Sequence, residues 1–113
     1  MATLDSIIDE IKTSVNNNEV IHPATWLDRA GKLNALRDQL DIELYNLEHD
    51  LAVMEKELLK QHDMTSAKAK ALIKAEEKYR DSRIVSAKIS QVKEFIMIAK
   101  KFATLTDDSY KQF

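Results

Sequence analysis

The chain has no cysteine, one glycine and one proline. Without cysteine it can form neither a disulfide framework nor a thiolate metal site, and it has no cysteine nucleophile. With Gly31 as the single glycine, there is no phosphate-cradling glycine loop and no nucleophile elbow. No apolar run approaches the ~20 residues needed to span a bilayer. The stretch from Met1 to Ser6 has no basic region followed by an apolar one, so no secretory signal is expected. The expectation is a soluble cytoplasmic protein.

What is present points to helix. Charged residues make up 32% of the 113 positions, and Leu, Ala, Glu and Lys are abundant, a composition of long helices or coiled coil. The length suits a single domain, residues 1–113, with one modest core.

Leu4, Ile7, Ile8, Ile11 and Val15 mark a short amphipathic helix over about residues 3–15. Thr3 can cap it, and Asp5 in the first turn suits the helix dipole. Asn16, Asn17 and Asn18 then favour a turn. So short a helix is marginal alone and should dock on the rest of the chain or on another subunit. Pro23 is suited to open the second helix, with Thr25 as an alternative cap. That helix is expected over about residues 23–62. Its seam is Leu33, Leu36, Leu40, Leu44, Leu47, Leu51, Met54 and Leu58, in steps of three and four that become heptads from Leu40 onward. Trp26, Leu27 and Ala30 extend the apolar face upstream, and Gly31 marks a place for a kink or a close crossing.

A short link with Thr65 or Ser66 as cap leads to a third helix over about residues 66–105. Read as one helix, its seam is Leu72, Ala75, Tyr79, Ser82, Ser86, Ile89, Val92, Ile96, Ala99 and Ala103, rich in small residues. At 1.5 Å per residue it would be about 57 Å long, and it must lay that seam against a partner. The short link makes the second and third helices antiparallel neighbours. The apolar end around Phe95, Ile98, Phe102 and Leu105 should then meet Trp26 and Leu27. Residues 106–113 are expected to be a loose tail. The fold class is therefore all-α: a long antiparallel, coiled-coil-like helical hairpin with a short N-terminal amphipathic helix.

The net charge of −2 hides an asymmetry: residues 24–63 carry nine acids against five bases, and residues 64–101 carry ten bases against four acids. One reading is pairing between the two long helices. The other is a basic stripe presented to a polyanion. Lys70, Lys74 and Lys78 form an i, i+4, i+8 row, flanked by Lys68, Arg80 and Arg83, with Lys56 and Lys60 contributed by the second helix near the turn. Such a row can track a phosphate backbone, with Tyr79 available for stacking, although Glu76, Glu77 and Asp81 interrupt it. A membrane-surface role fits less well, because the hairpin already claims the apolar side of the basic helix.

No other constellation carries chemistry. His22, His49 and His62 have no second histidine at helical spacing, so no metal site is expected. Acids that share a helix face, such as Asp41 with Glu48, sit among polar residues, and the serines have no evident base. The chain reads as no enzyme and as needing no cofactor. Ile42, Tyr45, Val53 and Leu59 lie off the main seam of the second helix. With Phe95 and Phe102 they form more apolar surface than one hairpin can cover, which predicts a homo-oligomer or a partner interface.

The order of parts resembles the bacteriophage recombination mediators of the UvsY type. The opening Leu4-Asp5-Ser6-Ile7-Ile8-Asp9-Glu10-Ile11-Lys12 looks like that family's amphipathic first helix. Trp26 to Leu58 looks like its long second helix, and Ala75-Glu76-Glu77-Lys78-Tyr79-Arg80-Asp81 to Phe102 like its return helix. The resemblance spans about residues 4–105. It implies a non-enzymatic accessory protein of DNA recombination, a ring-forming helical oligomer that binds single-stranded DNA and a recombinase. It also implies basic residues near the hairpin turn, where Lys56, Lys60, Lys68 and Lys70 stand. An expectation of another class is a scaffold, chaperone or small inhibitor that docks a helix face on a partner protein.

Overall fold

The computed structural model describes residues 3–61 and 63–111. Among the described residues four helices follow in order: α1 (Leu4–Asn16), α2 (Pro23–Gln61), α3 (Ser66–Lys74) and α4 (Glu77–Lys111). The described residues include no strand. The two long helices, α2 and α4, pack against each other as a helical hairpin. No helix among the described residues is long and apolar enough to cross a membrane.

The chain ends of α1 are locally specified. Thr3 and Ser6 form a reciprocal capping box, each side-chain oxygen accepting the other's backbone N–H. At the far end Asn18 adopts a left-handed φ of 51°. Its N–H bonds the carbonyl of Val15, and the Glu19 N–H bonds that of Ser14, the pairing of a Schellman stop. Asn tolerates this conformation better than most residues, so the asparagine run does terminate the helix. Helix α2 opens at Pro23, and His22 Nδ1 accepts the Ala24 N–H at 3.0 Å. That histidine cap was not anticipated. Thr65 caps α3 by accepting the Lys68 N–H.

The chain divides into two compact units, one of residues 1–38 with 90–113 and the other of residues 39–89. In the first, Ile7, Ile8 and Ile11 of α1 are buried with Trp26, Ala30 and Leu33 of α2 and with Val92, Ile96, Ala99 and Ala103 of α4. Each fully buried Ile, Leu or Val contributes about 1.5–3 kcal/mol relative to exposure. Helix α1 thus docks within its own chain. The Trp26 ring stacks on Phe102 with centroids 5.2 Å apart. Arg29 lies 4.8 Å from the centre of the same indole and donates from Nη1 to Ser14 Oγ at 3.1 Å. Leu27, expected in this contact, is exposed instead. Gly31 lies within an uninterrupted α2 and has open space where a Cβ would stand, so no helix crosses closely there.

In the second unit the Leu-rich seam of α2 behaves as its spacing predicts. Leu51 is buried, and Leu40, Leu44, Leu47, Met54 and Leu58 are half-buried. The partner face differs from expectation. The third helix is not continuous: it breaks at Ala75 and Glu76, whose N–H groups bond the carbonyls of Leu72 and Ile73, three residues back. The buried residues are Ala69 and Ile73 before the break, and Ser82, Val85 and Ile89 after it. Ser82 lies nine residues beyond Ile73. That is about two and a half helical turns, so a straight helix would put them on opposite sides. The break brings the two faces into phase. Accordingly Leu72 is 42% exposed, and Ala67, Ala71 and Ala75 also face solvent. At the chain end α4 runs on to Lys111 and replaces most of the expected loose tail. Gln112, Phe113 and His62 lie outside the described residues.

Candidate nucleic-acid interface

The break in the basic helical arm of the hairpin decides where its cations go. Lys68, Lys70 and Lys74 ride on α3, and Lys78, Arg80 and Arg83 on the first turns of α4. All six are exposed, as are Lys56 and Lys60 near the end of α2. The i, i+4, i+8 row of Lys70, Lys74 and Lys78 does not form, because it requires one continuous helix. Lys78 reaches α2 instead, with its ammonium 3.1 Å from Asp50 Oδ2. Among the eight candidate cations it is the one that makes an ion pair within the described residues. The expected charge pairing of the two long helices is thus realised here at Lys78, while its neighbours stay in solvent.

What the break brings together is a different set. Lys74, Arg80 and Arg83 line an open groove of about 590 Å³ with Ala75, Glu76, Glu77 and Tyr79. Tyr79 in this lining is half-buried. Tyr79 and Arg83 also line a second groove of about 320 Å³, toward Leu44, Leu51 and Ile73, whose acidic wall is Glu48 and Glu55. Arg83 therefore stands between a basic groove and an acidic one. Sequence reasoning named these cations but grouped them by straight-helix spacing. The burial of Ile73 rather than Leu72 regroups them.

The groove has the chemistry of an anion contact. Three cations on two helix segments share its lining with one phenol ring, and guanidinium groups bind phosphate through paired N–H donors. Glu76 and Glu77 in the same wall limit the net charge to about +1, so one groove alone would hold a polyanion weakly. The structure does not gather Lys56, Lys60, Lys68 and Lys70 into this groove; they add only exposed positive charge within the same unit.

The apolar candidates also separate. Ile42 and Tyr45 remain 63% and 69% exposed, and Val53 and Leu59 are exposed to lesser degrees. Phe95 and Phe102 are half-buried and have partners in their own unit: Lys12 Nζ lies 5.7 Å from the centre of the Phe95 ring, and Phe102 stacks on Trp26. These two rings are half-buried against other helices of the chain, whereas the four side chains on α2 are exposed.

The chain matches no family model, and comparison with curated proteins and with solved structures finds no significant match to either.

Proposed function

We propose that this chain is a non-enzymatic accessory protein that binds single-stranded DNA as a helical homo-oligomer, in the manner of a recombination mediator. The observation that supports this reading is the groove at the α3–α4 break, lined by Lys74, Arg80 and Arg83 together with Tyr79. The mechanism makes and breaks no bond. The cations replace counterions along the phosphate backbone, and the phenol offers a stacking surface to one base. Each subunit contributes few contacts, so useful affinity comes from several subunits on one strand. A recombinase would be the protein partner, and the host cell cytoplasm the place of action.

The test is a triple charge reversal, Lys74→Glu with Arg80→Glu and Arg83→Glu, assayed by anisotropy of a labelled oligonucleotide. All three side chains are exposed, so helicity by circular dichroism should be unchanged. Loss of binding with helicity intact is the expected result. Binding that survives at the parent level rejects this groove as the DNA site.

The exposure of Ile42 and Tyr45 favours a second reading, an assembly protein that docks this face of α2 on another protein. It predicts no DNA affinity at physiological salt and a hetero-partner contact that is lost when those two residues are changed.

A further inference from the structure

Helix α2 carries a second heptad seam on the side away from the hairpin. Ile42, Tyr45, His49, Ala52, Lys56 and Leu59 follow in steps of three, four, three, four and three, and every one of them is exposed. The inner seam through Leu44, Leu47, Leu51, Met54 and Leu58 lies on the opposite side of the same helix, about 160° around at 100° per residue. One heptad seam thus serves the chain's own core, and the other is left exposed by the described residues. Tyr45 and His49 already stack on each other along it, with planes 13° apart.

We infer that this outer seam is covered by the same seam of a second copy, in a parallel two-stranded coiled coil. The inference rests on the homo-oligomer part of the proposed function and not on its DNA-binding part. Three features select this occupant. In heptad terms Ile42, His49 and Lys56 take position a, and Tyr45, Ala52 and Leu59 take position d. Ile42 at a and Leu59 at d are the residue types of parallel two-stranded coils, and polar residues at a, here His49 and Lys56, fix register and strand number at some cost in stability. The flanking charges agree. Asp41, Glu48 and Glu55 fall at g, whereas Gln39, Asn46, Val53 and Lys60 fall at e. A parallel pair sets each g residue against the e residue five positions on in the other copy. Glu55 then faces the second copy's Lys60 on both sides of the dimer, and no acid faces an acid. Val53, 43% exposed, would be covered on the same flank. An antiparallel pair would set Glu48 against Glu55 twice. Lys56 meeting its own copy is the unfavourable contact, and Glu55 beside it on the facing helix offsets the charge.

The absence of cysteine makes the test direct. Leu59→Cys and Ile42→Cys are made singly, with Ala71→Cys on the exposed face of α3 as control, and each is oxidised mildly at roughly 100 µM chain, enough to populate a weak dimer. The unsubstituted chain is weighed by sedimentation equilibrium at the same concentration. A dimer or a multiple of it, with rapid disulfide formation by Leu59→Cys and Ile42→Cys and slow formation by Ala71→Cys, is expected. Ile42→Glu with Tyr45→Glu should lower the mass to that of the monomer without loss of helicity. A monomeric parent overturns the inference. So does cross-linking that needs Leu59→Cys and Ile42→Cys together in one chain, the pattern of an antiparallel pair. An oligomer unaffected by Ile42→Glu with Tyr45→Glu overturns it too. DNA binding measured on the same samples distinguishes this failure from failure of the proposed function.

Discussion

Lys78 of α4 bonds Asp50 of α2, with Nζ 3.1 Å from Oδ2. The pair takes the last member, Lys78, out of the basic row that straight-helix spacing would produce. Both side chains are about half exposed, so the pair contributes at most about 1 kcal/mol. Replacing Lys78 with Ala should therefore leave DNA affinity within about twofold of the parent, because a paired lysine releases few counterions. The equivalent change at Arg80 or Arg83 should weaken binding more. Equal losses at all three positions would show that Lys78 leaves Asp50 to contact phosphate.

The α3–α4 break predicts an inverted pair of substitutions. Ile73 is buried and Leu72 exposed. Ile73→Ala should cost about 2–4 kcal/mol, as for a large-to-small change in a core. Leu72→Ala should cost less than about 1 kcal/mol, the usual range for a partly exposed site. Urea denaturation of the two variants decides it. The opposite order would mean one continuous helix with its seam through Leu72.

This same region marks where the sequence stops being readable by spacing. The Leu-rich seam of α2 was legible because its apolar period runs unbroken from Leu33 to Leu58 under one helix. The return strand was legible from Ser82 onward, except that Val85 rather than Ser86 is the buried residue. Before Ser82 the apolar residues Ala69 and Ile73 sit half a turn out of phase. Ala75, Glu76 and Glu77 are all good helix formers, so nothing in local propensity signals a stop. Tertiary burial sets the break, and burial is not visible residue by residue. The same holds for the candidate site: its cations were named from composition, but their grouping around Tyr79 depends on the break. The contact of Phe102 with Trp26 was legible, because an antiparallel hairpin puts both at one end, whereas the Lys12 contact with Phe95 depends on where α1 docks and was not.

Arg29 and Lys32 offer a contrast within one helix turn. The Arg29 side chain is only 12% exposed, against the Trp26 ring, with Ser14 accepting its hydrogen bond. Lys32 pairs with Asp28 in solvent. Arg29→Ala should cost about 1–3 kcal/mol, through lost packing and an unpaired buried hydroxyl, and Lys32→Ala less than about 0.5 kcal/mol. Thermal denaturation should show a clear drop in Tm for the first variant and almost none for the second.

Gly31 is a site for stabilisation. It lies inside α2 with nothing within 4 Å of the place a Cβ would occupy. Gly31→Ala should raise stability by about 0.5–1 kcal/mol, since alanine loses less backbone freedom on entering a helix. A destabilised variant would reveal a close neighbour at this position in the assembled protein.

The most direct test of DNA binding through the groove is anisotropy of labelled single-stranded DNA at about 50 and 200 mM salt, read as a slope. If Lys74, Arg80 and Arg83 each replace one counterion, the slope per subunit is about −2, and affinity should fall roughly 20-fold over that range. That fall, lost in the triple charge-reversal variant, is the predicted result. Absence of binding at the lower salt, or binding indifferent to salt, would contradict the account.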